Sequence, residues 1–136
     1  MQGLHLTADL RGCAATSAVM TAPAALRSTC LGAVAAAGLT SVGELFHGFA
    51  PAPGDLGAAA TGITGVVLLA ESHLAVHTWP ELGAATLDVY VCNLGADNSA
   101  RAEALLASLI GAFAPASVER HALQRGAVPV LAVVAS

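Results

Sequence analysis

Nine consecutive residues, Ala84–Cys92, switch between apolar and polar along the chain. Such a period-two pattern marks a strand with one face buried and the other open. Leu4–Leu10 alternates more loosely in the same way. Strands covered on one side only belong in an antiparallel sheet with a single helical layer, so this pattern restricts the architecture more than any other feature.

The remaining elements follow from breakers and caps. Thr21-Ala22-Pro23 reads as a helix start, with Thr21 or Ser17 near the cap, and Ala24–Ala37 as the helix, closed by Gly38. Leu39–Phe49 reads as a strand, with Val42, Leu45, Phe46 and Phe49 as packing residues. Ala50–Gly62 is a loop rich in Ala, Pro and Gly. Ile63–Ala70 is a buried β-branched strand, and Leu74–Trp79 is a further strand stopped by Pro80. Asp97 or Asn98 caps a helix over Ser99–Phe113 with Glu103 in its first turn, and Val118–Arg125 is a last strand ended by Gly126. Residues 127–136 read as an extra strand or a loose tail. The expected fold is one α+β domain spanning 1–136: a two-layer sandwich with an antiparallel sheet and two main helices on one face.

Composition closes several functional classes. The chain has no lysine, which removes pyridoxal phosphate, lysine aldolase chemistry and the P-loop. A net charge of −4 without a basic patch argues against nucleic acid as a partner. No apolar run reaches the roughly 18 residues of a membrane span, and the start lacks a signal peptide, so a cytoplasmic location is expected. Cys13, Cys30 and Cys92 are odd in number and lack metal spacing, consistent with free thiols in a reducing compartment. A hydrophobic share of 56% in a small domain favours an oligomer.

Polar chemistry concentrates in Ala70–Glu81, which holds Glu71, Ser72, His73, His77, Trp79 and Glu81 within a chain only 10% charged. On an extended strand His73, Ala75, His77 and Trp79 share one face. Three chemistries compete for this cluster. His73 and His77 could bind a metal with Glu71, Glu81 or Cys92 as third ligand, although no HExxH pattern is present. Ser72 and a histidine could form a nucleophile–base pair, although the GxSxG elbow is missing. Third, the Ser72 hydroxyl could attack the preceding carbonyl, that of Glu71. The resulting ester would eliminate, cut the chain and leave a pyruvoyl group at residue 72. Its carbonyl would form a Schiff base with an amine substrate and replace pyridoxal phosphate. A blander alternative makes Ser72 a turn residue and the histidines ordinary sheet residues.

Glu71-Ser72-His73, His77-Thr78-Trp79-Pro80-Glu81 and Asp88-Val89-Tyr90-Val91-Cys92 together resemble the prokaryotic S-adenosylmethionine decarboxylase proenzymes. The resemblance extends to Gly3-Leu4-His5, Phe46-His47-Gly48-Phe49, Gly62-Ile63-Thr64-Gly65 and Arg125-Gly126, so it spans about residues 3–126. It implies cleavage between Glu71 and Ser72, giving a β chain of 1–71 and an α chain of 72–136. Ser72 would become the pyruvoyl group, and no metal is implied. His77 would take a proton during self-cleavage, with Thr64 supporting the step. Cys92 would protonate the decarboxylated carbon, Glu81 would bind substrate through ribose hydroxyls, and Phe49 would stack on adenine. A two-layer sandwich that dimerises, with active sites at the dimer interface, is implied as well. The product would feed spermidine synthesis; ornithine or arginine is the alternative substrate, and a non-catalytic metal- or ligand-binding module is the alternative class. The chain departs from the family pattern in a longer loop after Phe49, in Asn93 where many members have glycine, and in Val128–Val134, which has no counterpart.

Overall fold

The computed structural model describes residues 2–51 and 61–126. The Ala50–Gly62 loop lies mostly outside the described residues, and the 127–136 segment wholly so. In chain order the elements are β1 (Gly3–Arg11), α1 (Ala18–Thr21), α2 (Pro23–Ala36), β2 (Ser41–Gly48), β3 (Ile63–Leu69), β4 (Ser72–Trp79), β5 (Ala84–Cys92), α3 (Ser99–Phe113) and β6 (Ser117–Arg125). A single 3₁₀ turn, Pro80–Leu82, joins β4 to β5. The six strands form one antiparallel sheet in the order β2-β3-β4-β5-β1-β6.

Alternation decides which side the helices cover. Leu4, Leu6, Ala8 and Leu10 of β1 are buried with Ala85, Leu87, Val89 and Val91 of β5 and with Leu74 and Val76 of β4. The helices supply Leu26, Cys30 and Val34 from α2, and Leu105, Leu106, Leu109 and Phe113 from α3. Complete burial of one such leucine contributes about 1.5–3 kcal/mol. Among the described residues no helix covers the opposite face, and there the alternate residues stand half-exposed.

Several boundaries depart from expectation. The first helical segment is split: α1 precedes Pro23, and Ala22 rather than a hydroxyl residue occupies the α2 N-cap. Thr21 instead donates its hydroxyl to the Ser17 carbonyl at 3.2 Å. Gly38 does close the helix, with φ of 80°. Strand β2 lies at the sheet edge, so Val42, Leu45 and Phe49 are exposed and only Phe46 packs against the core. Glu103 lies beyond the first turn of α3 and pairs with Arg120 of β6. That first turn is entered through Asp97, whose carboxylate accepts from the Ser99 N–H at 2.9 Å and is held below its ordinary pKa by that bond.

Candidate active site

The Ala70–Glu81 cluster resolves into two separate places. Leu74, Val76 and Thr78 turn inward beneath the helices, while His73, Ala75, His77 and Trp79 stand on the open face. Thr78 is the one buried polar side chain among the described residues. Its hydroxyl donates to the Met20 carbonyl and accepts from the Ile63 N–H, both at 2.9 Å. These bonds satisfy three polar atoms that would otherwise be buried unpaired, and they fix the far end of β4 to α1 and β3.

Next to that fixed point, His77 faces its register partner on β3, Thr64. Thr64 Oγ1 lies 3.0 Å from His77 Nδ1. The His77 ring stacks on Trp79, with centroids 5.8 Å apart and planes inclined by 24°. Pro80 cannot continue the ladder, and the 3₁₀ turn that follows carries Glu81 round to the same side. On the opposite wall the Phe49 N–H donates to the Gly62 carbonyl at 3.0 Å. Phe49, Thr64, His77, Trp79 and Glu81 thereby line one cleft of about 330 Å³ together with Gly62, Ile63 and Thr78. Its size falls within the range of small-molecule sites.

Ser72 and Cys92 lie elsewhere. Leu69 pairs with Ser72, so Ala70 and Glu71 form a two-residue turn between β3 and β4. Glu71 takes a left-handed backbone with φ of 54°, a conformation that costs a non-glycine residue about 1–2 kcal/mol. Ser72 Oγ accepts the Cys92 N–H at 3.0 Å, which seats the hydroxyl at the end of β5. Cys92 is partly exposed, whereas Cys13 and Cys30 are buried. Burial pushes the Cys30 thiol up to about 12 and raises Cys13 too, so neither serves as a nucleophile at neutral pH. Asn93 accepts the Asn98 N–H at 2.7 Å and donates to Ser99 Oγ at 3.1 Å, tying the segment after Cys92 to the entrance of α3.

Two of the readings weighed for this cluster fail on distance. Ser72 and His77 lie five strand steps apart, roughly 16 Å at the usual strand rise, so within one chain they form no nucleophile–base pair. His73 and His77 stand roughly 13 Å apart by the same rise and cannot share an ion. Among the described residues, the group whose ligand atoms do lie within 4.8 Å of one another is His5, His73 and Asp88. Sequence reasoning assigned no role to His5, Asp88 or Tyr90, although the alternation of β1 and β5 already places all three on the open face beside His73.

A helix-backed antiparallel sheet with a cleft of this kind defines a small two-layer α+β protein with a small-molecule site. The S-adenosylmethionine decarboxylase family model matches residues 4–126. The chain is 36% identical over 128 residues to the S-adenosylmethionine decarboxylase proenzyme of Persephonella marina, covering 94% of this chain and 85% of that one. Against the proenzyme of Archaeoglobus fulgidus it is 32% identical over 124 residues, covering 91% and 97%. The crystal structure of the adenosylmethionine decarboxylase from Aquifex aeolicus superposes with a TM-score of 0.78 at 34% identity, covering 94% of this chain and 93% of that one. The chain belongs to the S-adenosylmethionine decarboxylase family.

Proposed function

We propose that this protein is a self-processing decarboxylase of S-adenosylmethionine whose working site is shared between two copies of the chain. The observation that carries the reading is the division just described. Thr64, His77, Glu81 and Phe49 gather at one cleft, while Glu71, Ser72 and Cys92 gather at the other end of β4. A two-fold axis near Ala75, lying in the plane of the open face, would bring Ser72 of one protomer onto the His77 cleft of its partner. Isologous contact of that kind would create two equivalent sites.

Processing follows from the chain's own atoms. Ser72 Oγ attacks the Glu71 carbonyl carbon and the amide nitrogen becomes an amine, leaving an ester. The partner's histidine 77 removes the α-proton of residue 72, and Thr64 holds that ring through Nδ1. Elimination releases Glu71 as a carboxylate and leaves dehydroalanine. Hydrolysis then consumes one water, releases ammonia and leaves a pyruvoyl group at the head of 72–136. The left-handed turn at Glu71 and the seat of Ser72 Oγ on the Cys92 N–H suit this step, and the lack of lysine suits a cofactor made from the chain itself.

When formed, that carbonyl supplies the electron sink that loss of carbon dioxide requires. Cys92, beside residue 72, donates a proton to the carbon left behind. Phe49 offers a face for the adenine ring and Glu81 accepts hydrogen bonds from ribose hydroxyls. The product would serve as the aminopropyl donor for spermidine. Partly exposed and buried free thiols accord with a cytoplasmic setting.

Denaturing mass spectrometry tests the processing. Folded protein should give two chains, 1–71 and a pyruvoyl-headed 72–136. Ser72→Ala should stay whole because no Oγ remains to attack. Carbon dioxide release from S-adenosylmethionine should appear only in cut protein; an active, uncut chain would overturn the reading.

A further inference from the structure

The open face carries a polar network that the proposed chemistry does not use. Its centre is Asp88 on β5. The Nε2 of His5, on β1, is hydrogen-bonded to Asp88 Oδ1, and His73 Nε2 stands 3.6 Å from the same oxygen. Arg125 Nη1, from β6, lies 3.2 Å from His5 Nδ1. A guanidinium can only donate, so Nδ1 of His5 is the acceptor and Nε2 carries the proton given to Asp88. Tyr90, the register partner of His73 on β5, stacks on the His73 ring at 5.7 Å with planes 27° apart. The Arg125 guanidinium carbon lies 5.8 Å from the centre of the Tyr90 ring.

Gly3 completes the arrangement. A Cβ built on Gly3 would stand 2.5–2.7 Å from three Tyr90 atoms. The tyrosine ring therefore rests directly on the β1 backbone, and only glycine leaves it room. Residues of β1 and β5 flank one imidazole of β4, that of the residue after Ser72, and Arg125 of β6 backs them.

We propose that Asp88 and Tyr90 clamp His73 so as to hold residue 72 in place once the chain has been cut. The inference rests on the function proposed above. In the whole chain the turn at Ala70 and Glu71 ties Ser72 covalently to the end of β3. After cutting, residue 72 heads a free chain end, and strand ends fray readily when little holds them. The clamp restores through a side chain the restraint that the covalent bond no longer gives. Asp88 and Tyr90 are positioning residues, acting on the reacting atoms only through His73. The trio of His5, His73 and Asp88 also has the donors of a metal site, but the nearby guanidinium cation disfavours a second positive charge.

The test is hydrogen exchange at the His73 and Leu74 amides, in protein shown by mass to be cut and in uncut Ser72→Ala protein. Tyr90→Leu and Gly3→Ala should each speed exchange there about tenfold or more in cut protein, and leave the uncut protein within about twofold. Tyr90→Phe keeps the ring and should keep the protection. The Gly3→Ala, Tyr90→Leu double variant should be no worse than the poorer single one, because both act on one contact. In cut enzyme the losses should fall on kcat, with KM nearly constant. Cut protein in which Tyr90→Leu and Gly3→Ala exchange as slowly as wild type removes the clamp alone. Protection that disappears with EDTA reassigns the trio to a metal and overturns it equally. A wild-type chain that never cuts removes both the proposed function and the clamp.

Discussion

Glu71 joins a strained backbone to a place in the proposed self-cleavage. It and Ala114 are the non-glycine residues with positive φ among those described. Replacing Glu71 with glycine in an uncut Ser72→Ala chain should raise the free energy of unfolding by about 1 kcal/mol in urea titration. With Ser72 intact, the relaxed turn should cut about fivefold more slowly in a mass-spectrometric time course, the rate equivalent of that energy. Cys30 makes a different prediction. Its folded pKa of about 12 lies above the ordinary 9.0, and burial is the cause. The folded chain keeps a proton that the unfolded chain releases, so stability is complete below pH 9 and declines as pH rises from there toward 12. Linkage sets the loss at roughly 1 kcal/mol by pH 10. Cys30→Ala should flatten that part of the stability–pH curve.

At the level of elements, Thr78 links the cleft to the helical layer. Thr78→Val keeps the shape but leaves the Met20 carbonyl and Ile63 N–H unpaired, and should cost about 1–3 kcal/mol in thermal or urea unfolding. In α3, Leu109→Ala should cost about 2–5 kcal/mol, since Leu109 is fully buried. Strands β1, β3 and β5 and helix α3 were legible because their periodicity is set by burial against the opposite layer, whereas β6, exposed along its whole length, was legible from its bound at Gly126. The period-two reading of β4 also put His73, His77 and Trp79 on one face. The start of the helical layer was not legible: Thr21 and Ser17 resemble caps, but their backbone groups are used by the extra turn α1. Edge position was equally hidden in β2, where Val42 and Leu45 stand exposed and only Phe46 packs inward. The site was legible as a set of residue types. Its division into two halves was not, because distance along a strand becomes decisive only once extension is known. Asp88 and Tyr90 were overlooked because their partners, His5 and Arg125, are distant in sequence and meet them only through sheet order.

For the whole molecule, the divided site predicts complementation. Chains carrying Ser72→Ala keep the cleft, and chains carrying His77→Ala keep the seryl end. Each alone should be inactive. Coexpressed at equal levels, half the dimers would be mixed and each would hold one complete site, so activity should recover to about a quarter of wild type. No recovery would place the site within a single chain. Sheet order carries one more consequence. Severance before Ser72 would leave β1, β2 and β3 on one piece and β4, β5 and β6 on the other, yet β1 lies between β5 and β6. The two products would be interlaced across three backbone ladders, like fingers of clasped hands. They should elute together at an unchanged native size, and denaturant, not dilution, should be needed to part them.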